Sequence, residues 1–101
     1  MVFNKLVRDR IPEIIEAHGG MPHTCILDDA EYFRCLEAKL DEEVGEYHRE
    51  KNTEELADIL EVVFALAAKH GCSEAELLKC REEKRAARGG FEERIFLISR
   101  E

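Results

Sequence analysis

A chain of 101 residues can close one hydrophobic core but not two, so a single domain over residues 1–101 is expected. A net charge of −8, in a chain that is 38 % charged, disfavours binding a nucleic acid through overall charge, although a local basic cluster can still hold a small phosphorylated ligand. No apolar run reaches the length of a membrane span and no charged-then-apolar leader opens the chain, so a cytoplasmic protein with no membrane partner is expected.

The first segment, Val2 to Arg10, mixes apolar residues with a close group of cations, Lys5, Arg8 and Arg10, and reads as extended. Pro12 suits the first turn of a short helix that runs to His18 and is stopped by Gly19-Gly20. The connector Met21 to Leu27 contains Pro22 and fits either a strand or a loop. Asp28, with Glu31 three residues on, has the form of a capping box and opens a helix to about Lys51. Gly45 inside it costs about 1 kcal/mol relative to Ala. Close approach of another backbone or a ligand would offset that cost, so Gly45 is expected to mark a crowded spot.

Asn52, with Glu55 three on, repeats the start signal, and this helix ends at His70 before Gly71. Ser73 and Glu76 open a last helix from Glu74 to about Arg88. Its clearest apolar residues are Leu77 and Leu78, and its polar remainder carries Lys79, Arg81, Lys84, Arg85 and Arg88. Gly89-Gly90 ends it, and the tail from Phe91 to Ser99 turns apolar and β-prone, which predicts a short strand paired with the amino-terminal segment. The whole reads as an all-α helical bundle of three to four helices with, at most, short β segments at the termini. Continuous apolar stripes on the two central helices of so small a chain predict that a second copy completes the bundle.

The four cysteines, Cys25, Cys35, Cys72 and Cys80, form no C-x-x-C pair and are expected to be free thiols, with Cys72 and Cys80 partly buried. His18 and His70 each precede a glycine at a helix end, where an imidazole suits the helix dipole and a capping role.

The central helices carry the chemistry. Advancing 100° per residue places Phe33, Leu36, Leu40, Val44 and Tyr47 on one stripe, with Glu43 at its border and Glu46 just outside. In the next helix the stripe is Leu56, Ile59, Leu60, Val63, Leu66 and Ala67, with Glu55 inside it between the directions of Ile59 and Val62, and Asp58 at its edge. A carboxylate in an apolar stripe is costly unless paired, and like charges three residues apart repel. Four such groups on facing helices call for a cation, and oxygen ligands beside phosphates suit Mg²⁺, or Mn²⁺. Two simpler readings compete: solvated helix faces, which suffice for Glu42, Glu54 and Glu61, and a cap bond from Glu55 back to Asn52.

The pattern E-x-x-E at Glu43 and Glu46, followed by E-x-x-D at Glu55 and Asp58, resembles the all-α nucleoside triphosphate pyrophosphohydrolase superfamily, which includes MazG-like proteins, dimeric dUTPases and phosphoribosyl-ATP pyrophosphohydrolase. The flanks Asn4-Lys5-Leu6-Val7-Arg8-Asp9-Arg10-Ile11-Pro12 and Arg88-Gly89-Gly90-Phe91 look like those of small MazG-like proteins, so the resemblance spans nearly the whole chain. Eight residues separate Glu46 from Glu55, a connection shorter than in many MazG-like members, which reduces the room for a substrate-specific loop.

The resemblance implies a homodimer or higher homo-oligomer that hydrolyses a nucleoside triphosphate, in some members a house-cleaning substrate, to monophosphate and pyrophosphate. It makes Glu43, Glu46, Glu55 and Asp58 the Mg²⁺ ligands and catalytic residues; independently of the resemblance, Glu46, the more peripheral on its stripe, is the favoured proton acceptor. Lys39, Lys5, Arg8, Lys84, Arg85 and Arg88 are the candidates for holding phosphates. The alternative is a non-catalytic helical interaction or regulatory module whose acidic rows only solvate the bundle.

Overall fold

The computed structural model describes all 101 residues and contains four helices and no strand. They are α1 (Ile11–Ala17), α2 (Asp29–Glu50), α3 (Thr53–Lys69) and α4 (Glu74–Arg88). Each long helix begins where a local cap dictates. The Asp28 carboxylate accepts from the Glu31 N–H at 2.8 Å, and the Asn52 side chain accepts from the Glu55 N–H at 3.1 Å. Only Ser73 closes a reciprocal capping box, accepting from the Glu76 N–H at 3.1 Å while its own N–H donates to Glu76 Oε1 at 3.0 Å.

The ends are equally local. His18 caps α1 with its ring nitrogen Nδ1 2.8 Å from the Ile14 carbonyl, and Gly19 follows at φ 87°. His70 is the C-cap of α3 and packs edge-on against the Phe33 ring, centroids 5.8 Å apart. The α2 to α3 connector is only Lys51 and Asn52. Lys51 turns into the left-handed region at φ 52°, and its N–H donates to the Tyr47 carbonyl at 2.7 Å. So short a turn, with the helices in contact, makes α2 and α3 an antiparallel hairpin, and α4 touches α3 over a shorter stretch.

The core lies in that hairpin, where Leu36, Val62 and Ala67 are buried. Phe33, Leu40, Tyr47, Ile59, Val63 and Leu66 flank them half-buried. The stripe of α3 is therefore used asymmetrically: its Val62 side packs within the chain, while Leu56 and Leu60 on the other edge stay 49 % exposed. On α2, Val44 sits at the corresponding outer edge and is also exposed.

Three expectations are revised. No strand forms at either terminus of the single chain: from Ile95 to Ile98 the side chains are exposed, and the tail's one local backbone bond is Arg94 N–H to the Phe91 carbonyl, 3.1 Å. A strand needs a ladder partner, and none lies alongside. Gly45 is not crowded, since a Cβ there would meet only the flexible Arg49 guanidinium at 3.6 Å. All four cysteines are free as expected, but Cys80 is exposed on the polar face of α4, while Cys72 is half-buried. No helix is long and apolar enough to cross a membrane.

Candidate metal centre

Antiparallel packing of α2 on α3 brings the last third of one helix against the first turns of the other. Glu43 enters from α2 with a side chain only 12 % exposed, and half-buried Glu55 and Asp58 enter from α3. Carboxylate oxygens of these three lie within 4.8 Å of one another. The sequence placed Glu55 on the inward face, and there it stands.

Glu55 decides between the readings of the cluster. Its backbone N–H is used by the Asn52 cap, but its carboxylate makes no return bond to Asn52, unlike Glu76 at the equivalent position of α4. Nor does any Lys, Arg or His pair with it, whereas Glu43 and Asp58 each have a cation. Partial desolvation, then the charge of Asp58, then those of Glu46, Glu43 and Glu50, pushes the Glu55 carboxyl above its ordinary range. The shift identifies a carboxylate surrounded by like charge and lacking a counter-ion.

Glu46 stands apart from the three. Arg49 Nη2 donates to its Oε1 at 2.6 Å, one turn along the same helix, and Glu46 reaches Glu55 only as a neighbouring charge. The four-ligand set expected from the sequence is therefore a three-carboxylate group with Glu46 at its side. Three carboxylates from two helices are a hard, oxygen-only donor set, which fits Mg²⁺ or Mn²⁺ and not a thiophilic ion.

Of the basic candidates, two meet the cluster directly. Arg8 Nη2 donates to Asp58 Oδ1 at 2.7 Å, crossing from the amino-terminal segment, and Lys39 Nζ lies 3.4 Å from Glu43 Oε1. Lys39 also bonds both Glu42 oxygens at 3.4 Å, and Lys5 reaches Glu42 Oε1 at 3.4 Å. Lys5 is thus one residue removed from the group. Lys84, Arg85 and Arg88 line none of this region in the single chain, and Arg85 is turned to Glu92 at 2.7 Å.

Beside the cluster the segment Leu6 to Ile14 and the helices α2 and α3 border an open cleft of ≈ 590 Å³. That volume falls within the range of small-molecule sites. Its walls combine Glu43 and Asp58 with Arg8, Arg10 and Lys39, and with apolar or aromatic surface from Leu6, Val7, Ile11, Tyr32 and Phe64. Sequence reasoning missed Arg10 and Tyr32 as lining residues. A signal for Tyr32 existed, because positions 32, 36, 39 and 43 share one helical face.

Comparison with known proteins adds little to this geometry. No protein-family profile matches the chain, and no solved structure matches it. An uncharacterized protein of Mycolicibacterium smegmatis is 60 % identical over 42 residues, which is 42 % of this chain and 43 % of that protein. The match thus spans less than half the length of its relative.

Proposed function

We propose that this chain hydrolyses a nucleoside triphosphate to nucleoside monophosphate and pyrophosphate, using Mg²⁺ or Mn²⁺ held by Glu43, Glu55 and Asp58. The observation that carries the proposal is Glu55, a half-buried carboxylate facing two others with neither a cap bond nor a cation to satisfy it. The likeness of its sequence pattern to the MazG-like group points the same way, and house-cleaning of modified nucleotides is the role that likeness suggests.

When bound, the cation supplies Lewis-acid polarisation and charge neutralisation at the polyphosphate. The chain's own groups supply the rest. Arg8 and Lys39, already on the cleft wall beside the carboxylates, donate to phosphate oxygens and hold the triphosphate for in-line attack. Water attacks the α-phosphorus, the bond to the leaving pyrophosphate oxygen breaks, and the proton of the water passes to Glu46. Glu46 lies outside the three-carboxylate group, and release of its Arg49 contact frees the oxygen that accepts. The apolar wall with Tyr32 faces the nucleoside. A second copy of the chain completes the bundle.

The second reading, a non-catalytic helical interaction module, draws on the exposed apolar edge at Val44, Leu56 and Leu60. One experiment separates the two: a panel of standard and modified nucleoside triphosphates with Mg²⁺, assayed for released pyrophosphate, alongside melting temperature with and without Mg²⁺. Turnover and a metal-dependent rise in melting temperature are expected. Neither appearing across the panel would leave the interaction module as the better reading.

A further inference from the structure

The tail beyond α4 is the least explained part of the molecule. Phe91, Ile95, Phe96, Leu97 and Ile98 are each at least 76 % exposed. The tail is tied to the rest of the chain by the Arg85–Glu92 ion pair, and its turn at Arg94, which sits at φ 62°, is internal to it. An unbroken run such as Ile95-Phe96-Leu97-Ile98 is the pattern of a segment covered on both faces, not of a solvated tail.

The whole chain has the same deficit. It exposes 9136 Å² of accessible surface, where a compact monomer of its 11.6 kDa mass exposes about 5,800 Å². Its radius of gyration is 17.8 Å against about 13 Å for a compact domain of this length. Its longest dimension, 60 Å, is nearly twice the roughly 33 Å of its longest helix. The excess surface, about 3,300 Å² per chain, is several times the ~800 Å² each partner gives to a standard interface and fits an obligate one.

We infer that the segment Phe91–Ile98 is an intermolecular clasp that packs against the Val44, Leu56 and Leu60 edge of a second copy of this chain. Both surfaces are exposed in the single chain, so they are not satisfied by each other within it. The eight residues from Phe91 to Ile98 reach up to about 28 Å, enough to cross from one copy to the next. The paired glycines before the tail let it leave α4 sharply, Gly89 lying at φ 83°. The reciprocal exchange covers both deficits at once, because each copy gives a tail and receives one. The clasp stands apart from the catalytic reading, since it uses none of the carboxylates.

Two measurements test it. In a sample mixed from isotope-labelled and unlabelled copies, filtered nuclear Overhauser spectra should connect the Phe96 ring to Leu56 and Leu60 methyls of the other copy. Contacts found only within one copy, or none, would overturn the clasp. Sedimentation equilibrium should show a stable oligomer for the full chain. Ending the chain at Gly90, or introducing F96E, should raise the dissociation constant roughly 100-fold or more, the scale of losing buried aromatic anchors. Helical circular dichroism should persist in both. Unchanged association in either variant, or a monomeric full-length chain, also overturns it. Glu55→Gln should associate like the unmodified chain, so a failed catalytic reading appears as absent pyrophosphate release with association intact.

Discussion

The start of α3 and the end of α4 are both dense in charge, yet they differ in what the fold does with it. Around Glu55 and Asp58 the charges come from two helices, point at one another and are half-buried, so their fields add. Around Lys84, Arg85 and Arg88 they lie along one exposed helix, and Arg85 has a carboxylate of its own. Convergence from separate elements, not charge density, distinguishes a site from a solvated face.

The sharpest way to break that contrast is Glu55→Gln, which keeps shape and removes charge. Mg²⁺-dependent pyrophosphate release should fall by about 100-fold or more, as when a charge clamp on a transferring phosphoryl group is lost. The melting temperature of the metal-free protein should not fall, and Mg²⁺ should no longer raise it. Unchanged turnover would remove Glu55 from the site.

Packing draws the same line. Leu36→Ala empties a buried position in the hairpin and should cost about 2–5 kcal/mol in chemical denaturation. Leu78→Ala on α4, where the side chain is exposed, should stay within about 0.5 kcal/mol. Equal losses would mean that α4 is buried against a second copy.

The two carboxylates that follow a cap give opposite pH dependences. The folded chain holds Glu55's proton more tightly than the unfolded chain does, so metal-free stability from this group declines as pH rises from the ordinary carboxylate range through the raised value. Saturating Mg²⁺ should flatten that slope. Glu76 is held below its ordinary value by its bonds with Ser73, so its contribution is complete above that ordinary value and is lost as pH falls through the lowered one. Denaturation in chelator across the acid range, comparing Glu55→Gln with Glu76→Gln, reads both slopes.

The smallest effect should come from the basic end of α4. Lys84→Gln with Arg88→Gln should leave KM for a nucleotide within about twofold, the scale of exposed charges without a fixed partner. A rise well beyond that would bring α4 of one copy to the cleft of another.

How much of this could be read in advance follows from the range of each interaction. Asp28, Asn52 and Ser73 marked the helix starts because a cap bond closes within three residues, and Glu55's inward direction followed from helical period alone. Helical period already set Glu46 just outside the stripe, but its partner was not legible: a claim on its oxygen by Arg49 or by a neighbouring helix suits the same sequence either way. The place of Leu6 to Ile14 beside the cleft was equally hidden, since nothing local to that segment says which helices it meets. Leu56 and Leu60 looked like core residues because the stripe cannot say which of its edges meets this chain.

The two-residue connector between α2 and α3 sets a phase as well as a direction. With Lys51 in the left-handed region and Asn52 already capping, α3 starts at a fixed rotation relative to α2. One inserted residue would turn every position of α3 by about 100° and carry Glu55 and Asp58 off the face that meets Glu43. The identity of the residues at this joint matters less, within what a left-handed turn and a cap tolerate, than the phase their number sets. One alanine inserted between Lys51 and Asn52 should therefore separate the three carboxylates, while the same insertion in the stretch from Gly19 to Leu27, which belongs to no helix, should leave them together.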